Sequence, residues 1–208
     1  TDTINLIHPL FGPVNIVRNT TAKNVADTYA AFGTLFWKPT AGWEVALGLR
    51  YDHESRRALG TVGPTALPNA QIKSDEWQPR LSVTRHWNEQ VMTFASVARG
   101  YRGGGFNAPT APTRTYRGDS AWTYELGTKF ASADRRMSLS GTLFYSDYKD
   151  YIGLNSIAPS SAGGLVTVDL NAGDVKSYGA ELEGFVKPTS NWTISGGLTP
   201  MHARLTNS

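Results

Sequence analysis

Cysteine is absent from all 208 residues, so disulfides and thiolate chemistry are excluded. No apolar run approaches the roughly 20 residues that a membrane helix needs, and no helical period of useful length appears. Histidine is scarce. His8, His53, His86 and His202 stand apart, without the paired spacing of a metal site, so no metal is expected. Charge of one sign is also lacking. Twenty basic residues face 17 acidic ones, for a formal net charge of +3, and they are scattered, which leaves no electrostatic footprint for nucleic acid. No GxSxG elbow or nucleophile–base pair occurs, so catalysis is not expected either, nor is any cofactor. The opening "TDTINLIHPLFGP" lacks the basic-then-apolar layout of a signal peptide and reads as the interior of a longer chain.

What is abundant is glycine (21 residues) and aromatic residues (6 Trp, 9 Tyr and 8 Phe). The mean hydropathy of −0.32 suits a soluble protein on its face. That average is blind to alternation, and a barrel with a wet interior also averages polar.

Alternation dominates the chain. About eight strands are legible, near Thr28–Lys38, Trp43–Ser55, Asp75–Trp87, Val91–Gly100, Ser120–Phe130, Arg136–Asp150, Val175–Lys187 and Trp192–Leu205. They are long beside the usual strand of about 5–6 residues in soluble domains. Their connections alternate between two classes. "KPTAGW", "HWNEQV", "FASADRR" and "KPTSNW" are short turns, whereas Glu54–Ser74, Tyr101–Asp119 and Tyr151–Leu165 are long and rich in Gly, Pro, Ala and Ser. In a string of antiparallel hairpins, every tight turn then falls at one end and every long loop at the other. Outer-membrane barrels have that asymmetry. A soluble sandwich can also show it.

The faces separate cleanly. Trp43, Val45, Leu47, Leu49 and Tyr51 alternate with charged or small residues, and Trp77, Pro79, Leu81 and Val83 do so in the next strand. Glu44, Arg50, Glu76, Arg80, Glu125, Lys129, Glu181 and Glu183 recur on the opposite face, where charges require water, and they read as lumen-facing. The strand from Val91 is ambiguous, with Met92 and Phe94 on one face and Val91 and Val97 on the other. Trp37, Trp43, Trp77, Trp87, Trp122 and Trp192 all take the apolar phase and gather at strand ends. Trp77 and Trp87 lie ten residues apart on one strand. That is about 33 Å of strand, or about 25 Å of height at a 40° tilt, the spacing of two aromatic girdles across a lipid-facing band. Indoles favour such interfaces because one edge is apolar and the N–H stays wet. Burial in a sandwich core is the competing reading.

Three constellations invite chemistry. "GYRGGGFN", Gly100–Asn107, is no phosphate loop, since it lacks a following Lys-Ser/Thr and a helix. It reads as a strand running into a mobile outer segment whose glycines bend, with Tyr101, Arg102, Phe106 and Asn107 available to a ligand at the rim. A glycine run can equally serve close packing. Arg114, Tyr116 and Arg117, in the same long loop, suit an anionic, ring-bearing ligand, lipopolysaccharide or plain solvation. In Asp52-His53-Glu54 the two carboxylates share one face and the imidazole takes the other, which argues against a metal site. Glu125, Glu181 and Glu183 read as lumen charges rather than an acid–base pair.

Five of these segments together resemble one family. "LRYDHESR", "ASVARGYRGGGFN", "WTYELGTKF", "LFYSDYKDYI" and "VKSYGAELEGFVKPTSNWTISGGL" follow the order and spacing of the TonB-dependent outer-membrane receptors, and "HPLFGP" is similar to one of their external loops. The resemblance implies an all-β fold, an antiparallel transmembrane β-barrel of which residues 1–208 supply about eight consecutive meander strands, from an external loop to a point before closure. It implies a Gram-negative outer-membrane location and contact with outer-membrane lipid. It also implies energised uptake of a small-molecule substrate such as a ferric siderophore, driven by a periplasmic energy-coupling protein acting through a plug domain that is missing here. Two other readings stay open: a small closed outer-membrane barrel with a structural or passive-channel role, and a soluble carbohydrate-binding β-protein.

Overall fold

The computed structural model describes residues 2–8, 12–18, 20–62, 65–161 and 163–207, with side chains from Thr21 onward except that of Val62. Of the "HPLFGP" stretch, Pro9, Leu10 and Phe11 lie outside the described residues. In chain order the strands are β1 (Asp2–His8), β2 (Gly12–Arg18), β3 (Thr20–Trp37), β4 (Trp43–Val62), β5 (Thr65–Ala66) and β6 (Ala70–His86). There follow β7 (Val91–Arg102), β8 (Gly105–Phe106), β9 (Thr115–Tyr116), β10 (Asp119–Ala131) and β11 (Met137–Lys149). The last are β12 (Ile152–Pro159), β13 (Leu165–Asn171), β14 (Asp174–Thr189), β15 (Trp192–Leu198) and β16 (Met201–Asn207). No helix occurs among the described residues.

One open antiparallel meander carries the architecture, in the order β15-β14-β11-β10-β7-β6-β4-β3. β16 continues the line of β15 along the other half of β14, with Leu182 opposite Leu198 and Gly179 opposite Met201. The two are separated at Thr199–Pro200, where Pro200 has no N–H to donate, although its carbonyl accepts from Ala180 N at 3.0 Å. Among the described residues eight long strand paths therefore run side by side, the number that the alternation implies.

Register sorts the faces. Leu47 lies opposite Leu81, Leu81 opposite Val97, and Val97 opposite Tyr124. Leu126 then faces Leu143, Leu143 faces Ala180, and Leu182 faces Leu198. The ambiguous strand is thereby resolved: Ala95 and Val97 join the apolar face, while Phe94 sits on the polar face opposite Gly127, under Lys129 Nζ at 5.7 Å from its ring centre. Among the described residues no layer packs on the apolar face. Leu47, Leu126 and Leu143 remain half exposed or more, and the fully buried apolar residues are only Ala58, Ile152 and Val168 among the described residues.

The tight turns are chemically specified. Gly42 adopts φ +77, a conformation costly for any other residue, in the turn between β3 and β4, and its carbonyl accepts from His86 N at 2.7 Å. In the turn after β6, Asn88 Oδ1 accepts from both Gln90 N and Val91 N at 2.8 Å. In the turn after β10, Ser132 Oγ donates to Asp134 at 2.7 Å and Asp134 accepts from Arg136 N at 3.1 Å. Those hydrogen bonds hold the Asp134 carboxyl below its ordinary pKa, the Ser132 hydroxyl contributing most.

Among the described residues, most of two of the expected long loops is instead ordered strand. The Glu54–Ser74 segment projects as a hairpin, with Glu54 paired to Ser74 and Ala58 to Ala70. Most of Tyr151–Leu165 belongs to the β12–β13 hairpin, with a register shift between Gly153 and Ser156 and Asn155 at φ 55. Both segments keep backbone donors and acceptors matched far beyond the aromatic belt, so their composition of small residues does not make them irregular.

Candidate ligand-facing site

On β4, Arg50, Asp52, Glu54 and Arg56 fall two residues apart and therefore on one face, at the long-loop end of the polar surface. They pair along the strand. Arg50 grips Asp52 through two hydrogen bonds of 2.6 Å, and Arg56 pairs with Glu54 at 2.7 Å. Gln78 Nε2 also donates to Asp52, and Thr28 Oγ1 donates to Glu54 at 3.3 Å. The Arg50 guanidinium lies 5.7 Å from the Phe32 ring centre. The four β4 residues, with Thr28, Gln78, Tyr101 and Gly103, line an open polar cavity of about 220 Å³. His53 takes the opposite face, where Nδ1 and Asp75 meet at 2.7 Å. That contact, with a second bond from Tyr51, keeps the Asp75 carboxyl below its usual range.

The three glycines after β7, of which Gly103 lines the cavity, sit in close contact with their neighbours. None has positive φ. A Cβ at Gly103 would strike Glu54 Oε2, one at Gly104 the Tyr116 carbonyl, and one at Gly105 the Tyr116 phenol. Gly104 also offers its carbonyl to Arg56 Nη1 at 3.0 Å. Of the two readings of this run, bending and close packing, these contacts support packing: the glycines let backbone and side-chain surfaces approach.

Above them the outer segments interlock. Asn107 is buried; its amide donates to Thr113 O at 3.0 Å and Asp169 O at 2.9 Å, and its Oδ1 accepts from Asp169 N at 2.8 Å. Asn171 clamps Arg117 in the same two-way fashion, at 2.8 and 3.0 Å. Arg102 pairs with buried Asp119, which accepts from Ile152 N at 3.0 Å. Burial above all, and then the nearby Asp169 carboxylate, pushes the Tyr116 phenol pKa up.

The seven expected rim residues thus divide. Tyr101 lines the polar cavity, and the Arg117 side chain is largely exposed while paired to Asp150 at 2.6 Å. Phe106 is half-buried on β8. Arg102, Asn107, Arg114 and Tyr116 are engaged within the interlocked segments, with Arg114 Nη1 donating to Asn107 O at 2.6 Å. Of the charges expected in the lumen, Glu44 meets Lys38 at 3.4 Å, Glu76 meets Arg99 at 2.7 Å and Glu125 accepts from Ser96 at 2.8 Å. Arg80, Glu181 and Glu183 are exposed, and Lys129 lies over Phe94. Trp37, Trp43, Trp87 and Trp192 stand at the tight-turn end; Trp77, tilted against Tyr51 with ring centres 4.7 Å apart, and Trp122 stand toward the other. Sequence reasoning missed Asp119, Asp169 and Asn171, whose roles depend on partners 17 to 62 residues away. It also missed the cross-strand tyrosine row Tyr124, Tyr145 and Tyr178.

Comparison with known proteins gives this geometry its setting. A family model for the TonB dependent receptor-like β-barrel matches residues 2–206. The chain belongs to that family. It is 27% identical over 188 residues to the pesticin receptor of Yersinia enterocolitica, covering 86% of this chain and 27% of that protein. Among solved structures, the ferric yersiniabactin uptake receptor FyuA from Yersinia pestis superposes with a TM-score of 0.73 at 22% identity, over 95% of this chain and 29% of that one. The siderophore receptor PiuA from Acinetobacter baumannii gives a TM-score of 0.71 at 22% identity, over 89% and 26%. The chain therefore spans less than a third of the relatives it matches. The fold is that of TonB-dependent receptor barrels, in an unclosed portion, and the family places it in the Gram-negative outer membrane.

Proposed function

We propose that this chain forms one wall of a receptor that takes up a scarce nutrient, with a ferric siderophore as the best-supported cargo. The carrying observation is the Arg50–Asp52–Glu54–Arg56 ladder, which lines a polar cavity beneath interlocked outer segments at the long-loop end. Its charges sum to zero while presenting donors and acceptors side by side, which suits a polar iron chelate. The names of FyuA and PiuA support that cargo class. In this reading the apolar face meets lipid, the polar face lines the lumen, the tight turns are periplasmic, and a periplasmic coupling protein supplies energy through a plug domain. Tyr101 and Arg117 are the rim residues left free enough to touch ligand.

Equilibrium binding of a panel of ferric siderophores to the full-length receptor tests this. Arg50→Ala should weaken the bound chelate several-fold. A charge-assisted hydrogen bond is worth about 1.5–3 kcal/mol when dry and less when wet. Unchanged binding in Arg50→Ala, Arg56→Ala and Tyr101→Phe alike would remove the ladder from the ligand site.

A further inference from the structure

Arg85 is a cation on the wrong face. It lies opposite Trp43 at the β4–β6 junction, in the row that continues through Val45, Val83, Leu47 and Leu81. Its guanidinium sits 5.3 Å from the Trp43 ring centre and 5.4 Å from that of Trp87, held between two indoles. One further tether fixes it: Nη1 donates to Ala41 O at 2.9 Å, in the tight turn whose Gly42 leaves room for it. Trp87 is itself oriented by a bond from Nε1 to Thr93 at 3.1 Å. Arg85 forms no ion pair with a carboxylate among the described residues, and the adjoining Glu44 takes the opposite face, where it pairs with Lys38. Among the described residues its remaining N–H groups meet no hydrogen-bond acceptor, and they are not sealed from the surroundings.

We propose that the Trp43–Arg85–Trp87 stack binds the phosphate of an anionic phospholipid in the leaflet at the tight-turn end. This rests on the reading that the apolar face meets lipid. An arginine on a lipid-facing row is costly near the bilayer midplane and tolerated near the interface, where phosphates lie. Cation–π contact on two sides orients the planar group at little further entropic cost, leaving a fork of donors that matches two phosphate oxygens. The two indoles, 40% and 61% exposed, offer apolar edges to the first methylenes of the acyl chains. Neither lysine nor a lone tryptophan offers that combination.

The full-length receptor, purified in detergent with mixed phosphatidylglycerol and phosphatidylcholine, would be examined by native mass spectrometry for retained phosphatidylglycerol. Arg85→Gln should lower the retained anionic lipid about tenfold, the loss of roughly one charge-assisted hydrogen bond, and Arg85→Lys should recover part of it. Excess inorganic phosphate should not displace the lipid. Retention unchanged in Arg85→Gln, or displacement by inorganic phosphate, would overturn the proposal. A spin label at Leu47→Cys reads the lipid-face assignment separately, through its accessibility to oxygen in bilayers. An inaccessible label would overturn that assignment and the proposal together. An accessible label with unchanged lipid retention would overturn the proposal alone.

Discussion

Replacing Gly104 by alanine tests whether the glycine run packs or bends. An added Cβ would collide with the Tyr116 carbonyl and come within 2.9 Å of both Arg117 C and Gly118 N, where ordinary contact begins at 3.4 Å. All three neighbours are backbone, so none can rotate away, and β8 and β9 must separate by about half an ångström or more. That movement also withdraws the Gly104 carbonyl from Arg56. Overpacking costs about 1–3 kcal/mol and a lost bond to a charged donor about 1.5–3; the two overlap, giving about 2–4 kcal/mol. The cost falls on local opening, because the long strands do not depend on this contact. Hydrogen exchange in the full-length receptor reads it at the Asn107 amide, which donates to Arg114 O at 3.0 Å. Exchange should accelerate from about thirtyfold to several hundredfold, while heat-resistance of the barrel on gels stays unchanged. Gly100→Ala is the control, since nothing lies within 4 Å of its added Cβ. Equal exchange in the two variants would refute the packing argument and restore a hinge.

Leu81→Arg on the apolar face should cost about 2–4 kcal/mol in refolding into lipid vesicles, whereas Thr84→Arg, opposite Glu44 on the polar face, should be tolerated. Asn107→Leu removes three hydrogen bonds from a buried position and strands their partners, so limited proteolysis should cut the β12–β13 hairpin faster, with a local loss of about 1–3 kcal/mol. Asp134 has a folded-state pKa below its unfolded value of 3.8, so its contribution to the turn is complete above that pH and is lost as pH falls through the folded value. A carboxyl-carbon NMR titration should therefore give a midpoint below 3.8 that rises toward it in Ser132→Ala.

The barrel portion was legible because two of its determinants are local. Side-chain alternation fixed the faces of β4, β6, β10 and β14, and the tight turns announced themselves through Gly42, Asn88 and Asp134. Met92, Phe94 and Val97 could not settle β7 alone, since only the neighbours' register decides which side Phe94 joins. The outer segments were harder for a physical reason. Glu54–Ser74 is rich in small residues, and composition suggests a loop, yet its order comes from backbone pairing across the hairpin. Asn107 and Arg102 were singled out as ligand contacts because exposed polar residues near glycines invite that reading. What engages them is Asp169 and Asp119, which nothing in the local sequence connects to them.

The ladder on β4 bears on how a ligand could be gripped at all. Exposed ion pairs contribute about 0–1 kcal/mol to folding. Arg50 has 45% of its side chain exposed, so its pair adds little to strands already joined by long backbone ladders. The arrangement matters more once a ligand displaces water, because the same pair strengthens about fourfold when the effective dielectric falls from about 80 to 20. A chelate bearing its own carboxylate or phenolate would compete for Arg50, and competition normally fails when it abandons a partner carboxylate. Here it need not. Asp52 retains Gln78 as a donor, and Glu54 retains Thr28 if Arg56 turns away. Each carboxylate carries a spare neutral donor, which lowers the cost of lending its arginine, and that is the property a reversible binding wall requires.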